Sequence, residues 1–176
     1  MEKINGLIKM YFLKLYYIKR LILKGMKYYL GKNCKIIIKK DSKIELGDKV
    51  WISDMSSMVS AGDKICIGDN CYFNSNLKLV SLNKIVIGTD CLFGPNVVIV
   101  DHNHSFKDRN RKICEQGYEI GSVTIGNNVW VGANCVISKD VTIADNVVIG
   151  AGSVVTKNIL YPGVYCGVPA VKMKDI

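Results

Sequence analysis

Residues 125–154 read IGNNVW VGANCV ISKDVT IADNVV IGAGSV, and Val155 opens the next step. A large aliphatic residue returns every six positions, at Ile125, Val131, Ile137, Ile143, Ile149 and Val155. Neither the helical period near 3.6 nor the strand period of two produces that spacing. A short fixed period marks a solenoid, whose repeats cannot bury an apolar face alone and stack to do so. The fourth residue after each aliphatic is small or medium: Val129, Cys135, Val141, Val147 and Ser153. Both positions therefore face one interior. The Gly, Asn, Asp and Lys between them make exposed corners, where glycine and asparagine accept positive φ. Three hexads form a triangular coil of eighteen residues, Ile125 to Ile143 being one.

The same step recurs towards the N-terminus at Leu46, Ile52 and Met58, at Ile67, Phe73 and Leu79, and at Ile87, Phe93 and Ile99. Three extra residues before Ile67 and two before Ile87 fit at corners, because each coil touches only its neighbours. Ile36 and Ile38 suggest an irregular first coil from about residue 34 that protects the open end. Between Ile99 and Ile125 the gap is 26 instead of six, so a long loop at about 100–124 must leave the coil. Excursions of that length in a compact domain are functional or disordered. This one carries both histidines of the chain, in the run VDHNH. After Val155, residues 156–176 leave the pattern as a C-terminal tail punctuated by Pro162 and Pro169.

Residues 1–32 form a separate basic segment, with eight Lys or Arg against the single Glu2. From residue 3 to about 30, Ile4, Leu7, Ile8, Tyr11, Leu15, Ile18, Ile22 and Tyr29 fall on a stripe, with Lys9, Arg20, Lys24 and Lys27 opposite. The pattern predicts a basic amphipathic helix or helix pair, with Gly25 as a break. Lysine returns too often for a membrane span, and there is no cleavable leader pattern. Two uses remain open: packing on the solenoid's end or a neighbouring subunit, and peripheral membrane contact through residues 1–30.

The net charge of +9 is concentrated in that segment, and no nucleic-acid reader motif accompanies it, so a nucleic-acid partner is not expected. The seven cysteines match no zinc spacing. Cys71, Cys91 and Cys135 occupy the small interior position of their hexads, which suits reduced thiols in a cytoplasmic protein.

The hexads, the single long loop and its histidines together resemble the hexapeptide-repeat acyltransferase family, of the sugar and surface-polysaccharide O-acetyltransferase type. The resemblance covers residues 34–174. It implies an all-β fold, a left-handed parallel β-helix over residues 33–176, although β crossovers in general take the opposite hand. It also implies an acetyl-coenzyme A donor, a carbohydrate acceptor and a homotrimer with intersubunit sites. The acceptor would belong to capsule, O-antigen or exopolysaccharide synthesis, near the inner face of the cell membrane. Alternatives are N-acetylation of an amino sugar and a non-catalytic assembly subunit.

By that resemblance His102 is the general base, since an imidazole with a pKa near 6.5 suits proton transfer at neutral pH. His104 is the alternative base or an acceptor contact. Asp101, adjacent in sequence, is expected to be poorly placed to orient His102. NCYFNSNLKLVS, residues 70–81, resembles the stretch that supplies an asparagine beside the acceptor, matched here by Asn74. Ser81 and Leu82 stand where small-sugar enzymes carry acidic residues. NNVWVGA resembles the donor wall, with Trp130 lining a channel and Ala133, Ala151, Thr156 and Lys157 contacting coenzyme A. GVPAVKMKDI resembles the phosphate-binding end, with Val171 in place of an arginine and Lys172 and Lys174 as the cations. No metal is expected, and Cys114 is a weak candidate nucleophile.

Overall fold

The structure, a computed structural model, describes residues 2–176, with side chains from Gly6 onward. The expectation for the Ile4 side chain therefore lies outside the described residues. Three parallel sheets run the length of the molecule, and the chain visits them in turn. The first holds Leu21–Leu23, Lys43–Leu46, Lys64–Ile67, Lys84–Ile87, Ser122–Ile125 and Val141–Ile143. The second holds Tyr28–Leu30, Val50–Ile52, Tyr72–Phe73, Leu92–Phe93, Trp130–Val131 and Val147–Ile149. The third holds Lys35–Ile38, Ser57–Ser60, Lys78–Ser81, Val98–Val100, Val136–Ile137 and Val154–Val155. The molecule is thus a three-sided β-solenoid of six coils.

The six-residue step becomes the interior. Leu46, Ile67, Ile87, Ile125 and Ile143 pair in register along the first sheet. Ile52, Phe73, Phe93, Val131 and Ile149 do so along the second, with the Phe73 and Phe93 rings stacked at 4.7 Å. Met58, Leu79, Ile99, Ile137 and Val155 complete the third. All are buried, and each such side chain contributes about 1.5–3 kcal/mol of burial free energy.

The corners follow from backbone chemistry. Asn70, Asn76, Asn96, Asn128, Asn134 and Asn146 all adopt left-handed φ, which asparagine tolerates. Their amides form rungs between coils: Asn76 Nδ2 donates to Asn96 Oδ1 at 2.8 Å, and Asn96 Nδ2 to Asn134 Oδ1 at 2.9 Å. Inside, the Cys71, Cys91 and Cys135 thiols donate to carbonyls of the following coil at 3.1–3.2 Å. Burial raises the Cys135 thiol above its ordinary pKa, as expected for an inert structural cysteine.

The N-terminal expectation needs correction. Helix α1, Glu2–Tyr16, stops well short of residue 30, and residues 21–30 already supply strands of the first two sheets. The solenoid therefore begins at Leu21, not at about 34. The helix ends at Tyr16, and in the turn that follows, Lys19 takes φ +64, which no helix can continue through. Gly25 sits at the next corner, where an added Cβ would lie 2.4 Å from the Asp48 backbone, so the chain can pass only without a side chain. Met10, Leu13 and Tyr17 turn α1 onto the open end of the core, and Tyr17 Oη donates to Ile36 O at 3.1 Å. Among the described residues, no helix is long and apolar enough to cross a membrane.

The tail keeps the sheet though it loses the period. Ile159 is buried in a parallel bridge to Ile143, Gly163–Gly167 continues the second sheet beside Val147–Ile149, and Ala170–Lys174 folds back antiparallel on it. The far end of the core is covered in this way.

Candidate active site

The excursion after Val100 is an antiparallel hairpin and not a structureless loop. His102–His104 pairs with Tyr118–Ile120, bringing His102 opposite Ile120 and His104 opposite Tyr118. A short 3₁₀ turn, Ile113–Glu115, shapes its tip. Lys107 Nζ lies 2.7 Å from Glu119 Oε1 across the hairpin and holds that carboxyl below its usual range. At the root, Gly121 N donates to Asp101 O at 2.7 Å and Asn83 Nδ2 donates to Gly121 O at 2.9 Å.

The expectation that Asp101, being adjacent in sequence, is poorly placed to orient His102 needs correction. The Asp101 side chain is fully buried, and Oδ1 lies 3.1 Å from His102 Nδ1. Oδ1 also accepts from Leu82 N at 2.8 Å, while Oδ2 accepts from Ser81 Oγ at 2.6 Å and from Asn83 N at 2.9 Å. The two residues can meet because Asp101, just after the third-sheet strand Val98–Val100, is buried inward, while His102 begins the hairpin strand that leaves the coil. An ionised carboxylate only accepts, so His102 donates Nδ1–H to it and keeps Nε2 as the free lone pair. Four donors thus offset the cost of a buried charge. Ser81, expected only as the replacement of an acidic residue, is one of them.

His102 keeps 16% of its side-chain surface exposed. The Tyr118 ring meets it edge-on, with centroids 5.5 Å apart, and lies 4.6 Å from the His104 ring. His104 itself is exposed. The corner that holds His102, between third and first sheets, also holds Thr156 and Lys157 two coils further on, both exposed.

The other candidates lie along a different edge of the prism. Asn74 follows Phe73 at the corner between second and third sheets, where its Oδ1 accepts from Ser75 N at 2.7 Å. Ala133 and Ala151 line that same corner. A Cβ on Gly94 would lie 2.7 Å from Ala133 N, and one on Gly132 would lie 2.6 Å from Ala151 N, so glycine is required at 94 and 132. Trp130 faces outward from the adjoining second sheet and is 54% exposed. Lys172 and Lys174 stand on the outermost strand of that sheet, Lys172 Nζ lying 2.5 Å from Asp175 Oδ1. Within one chain the third sheet separates these residues from His102. Its strand Lys78–Ser81 has four residues, about 13 Å at 3.3 Å per residue. The candidates therefore fall along two edges of the prism and not in one cluster: His102 lies two coils from Thr156 and Lys157, and Asn74 lies five strands of the second sheet from Lys172 and Lys174, with Trp130, Ala133 and Ala151 between. Cys114 is exposed at the hairpin tip, apart from both.

Residues 122–157 match the family described as bacterial transferase hexapeptide (six repeats). No curated protein matches the chain. Among solved structures, a variant of AntD, an N-acyltransferase from Bacillus cereus in complex with dTDP and coenzyme A, is 20% identical with a TM-score of 0.73, over 94% of this chain and 88% of that one. A hexapeptide-repeat acetyltransferase from Vibrio cholerae, complexed with acetyl coenzyme A, is 23% identical with a TM-score of 0.64, over 96% and 76%. A maltose O-acetyltransferase from Clostridium difficile 630 is 25% identical with a TM-score of 0.55, over 98% and 87%. The family model thus covers the regular repeats after the excursion, and these solved structures share the fold of the coil over nearly the whole chain.

Proposed function

We propose that the protein transfers an acetyl group from acetyl-coenzyme A to a sugar hydroxyl, with His102 as general base. The observation that carries this reading is the Asp101–His102 pair at the root of the long excursion from the coil, an arrangement that would leave Nε2 as the proton acceptor. Nε2 takes the proton from the acceptor hydroxyl as its oxygen attacks the thioester carbonyl carbon. The tetrahedral intermediate collapses with loss of the thiolate, and the imidazolium returns the proton to sulfur. The products are an acetyl ester and free coenzyme A. A positioned base contributes about 10²–10⁴-fold, and the carboxylate of Asp101 stabilises the imidazolium while it exists.

The separation of the two candidate groups supports a site shared between copies, in a trimer. His102 of one copy would face the edge of another that carries Asn74, Trp130 and the small-residue corner at Ala133 and Ala151. The small side chains of that corner would leave room for the pantetheine chain, and Lys172 and Lys174 would be cations for the donor's phosphates, with Lys172 exchanging Asp175 for phosphate. Thr156 and Lys157 would complete the donor contact from the histidine-bearing edge. The carbohydrate acceptor belongs, in this reading, to cytoplasmic synthesis of a surface polysaccharide. His104, exposed across from Tyr118, would touch that acceptor.

Thiol release from acetyl-coenzyme A across a panel of sugars, amino sugars, nucleotide sugars and lipid-linked oligosaccharides tests the proposal. Acceleration by a hydroxyl acceptor, lost in His102→Ala with the fold intact, is expected. Turnover confined to amino sugars would make the enzyme an N-acetyltransferase. No turnover and no thermal stabilisation by coenzyme A would leave a non-catalytic subunit, because a ligand that binds the native state raises its apparent stability.

A further inference from the structure

Helix α1 has two apolar faces. Gly6, Met10, Leu13 and Tyr17 lie towards the solenoid. At about 100° per residue, Ile8, Phe12 and Leu15 fall on the opposite side, and they are 47%, 67% and 68% exposed. A helix covering a soluble core ordinarily carries polar residues there. Lys9 flanks this outer stripe on one side and Lys14 on the other, both exposed, and Tyr16 at the helix end, with Ile18 and Lys19 beyond it, continues the exposed surface. Beside the helix opens a cavity of about 420 Å³ whose walls include Leu7, Met26, Tyr29 and Trp51, with the exposed Lys27 and Lys49 also lining it.

We propose that this end of the molecule docks on an anionic lipid bilayer, with Ile8, Phe12 and Leu15 sunk between headgroups and the lysines on lipid phosphates. Length excludes a span: the helix has 15 residues, about 22 Å against a hydrocarbon core of about 30 Å. An in-plane helix needs an apolar face bordered by cations, and the outer face of α1 is built that way. Charge selects the bilayer over a second copy of the helix. Stripe-to-stripe pairing of two such helices would crowd Lys9 and Lys14 against their counterparts, whereas an anionic surface neutralises them. The cavity supplies a further apolar recess, lined in part by cations, on the flank of the same helix.

Removing residues 1–30 would delete strands of the first coil, so the test uses the full chain with point changes on the solvent side. The protein is floated with phosphatidylcholine vesicles, with and without phosphatidylglycerol. At least tenfold more protein should float with the anionic vesicles, falling as salt is raised. The double variant Phe12→Asp, Leu15→Asp should lose at least tenfold of that binding while keeping its melting temperature, and Lys14→Gln, Lys19→Gln should lose only the preference for anionic vesicles. Protein that stays at the bottom of the gradient with both vesicle types overturns the proposal. So does a Phe12→Asp, Leu15→Asp variant that floats like the parent. A change in the mass of the assembly by light scattering in that variant also overturns it, and assigns the stripe to a neighbouring subunit. Transfer to a soluble acceptor is measured on the same variants and should not change, which keeps this test separate from the fate of the acetyltransferase reading.

Discussion

Replacing Asp101 by asparagine changes one atom's chemistry without changing volume, and the hydrogen bonds around it set the outcome. The carboxylate accepts four hydrogen bonds, two at each oxygen. The amide offers one acceptor oxygen and one NH₂. If the NH₂ takes the Oδ2 place, it meets the Asn83 N–H; if it takes the Oδ1 place, it meets the Leu82 N–H and the His102 Nδ1–H. At least one partly buried backbone donor loses its acceptor, which costs up to about 1–3 kcal/mol of stability. With the oxygen left towards His102, the imidazolium formed during transfer faces a neutral partner. Hydrogen bonds to charged groups are worth about 1.5–3 kcal/mol and neutral ones about 0.5–1.5, so about 1–2 kcal/mol of transition-state stabilisation disappears, roughly 5- to 30-fold in kcat. The assay is steady-state thiol release at saturating acceptor, normalised to coenzyme A binding stoichiometry so that unfolded protein is not counted. KM for acetyl-coenzyme A should stay within about twofold, since the carboxylate does not touch the donor. A lower melting temperature with kcat unchanged would refute the reasoning and leave Asp101 as a purely structural clamp.

Four further outcomes are expected. His102→Ala should lower kcat by about 10²–10⁴, and His104→Ala by far less, read in the same thiol assay. Gly62→Ala should lower both melting temperature and kcat, because the new Cβ would lie 2.0 Å from Leu82 O and 2.5 Å from Asn83 N, displacing the two amides that hold Asp101. Phe73→Ala should cost about 3–5 kcal/mol in a urea titration, since the ring is fully buried and stacked on Phe93. Asp48, which accepts from the Lys27 and Met26 amides, is held below the ordinary value of 3.8. A depressed carboxyl contributes stability that is present above that value and lost as pH falls through the folded one, so Asp48→Asn should flatten the acid end of the melting-temperature profile.

Most of the prism is legible in residue spacing because an unbroken six-residue step admits few alternatives. Each aliphatic from Leu46 to Val155 lies in the interior column its position implies, and the corner asparagines and interior cysteines are where their chemistry suits them. The N-terminal strands are hidden by a coincidence of periods. Leu21, Tyr28 and Leu30 are the buried residues there, but Ile18, Ile22 and Tyr29 also complete a helical stripe, and the stripe is the louder signal. The break in period alone locates His102 at the mouth of the excursion. Its partner is harder to read, because adjacency in the chain argues against the pair while position in the coil argues for it. Ser60, Ser81 and Asp101 each stand two residues after a third-sheet aliphatic, in MVS, LVS and IVD, and all three are buried. Aligning those hexads turns Asp101 inward. The pairing of His104 with Tyr118 and the double-faced nature of α1 depend on tertiary placement that no local pattern records.

The first sheet closes beneath the hairpin as though it were absent, with Ile85 beside Val123 and Ile87 beside Ile125 in unbroken register. The cost of closing a flexible loop grows only slowly with its length. The excursion can therefore lengthen, shorten or be exchanged for another without renegotiating the coils below it. On the proposed function, acceptor choice and architectural stability would become separately inheritable traits, a new hairpin being grafted onto an unchanged chassis.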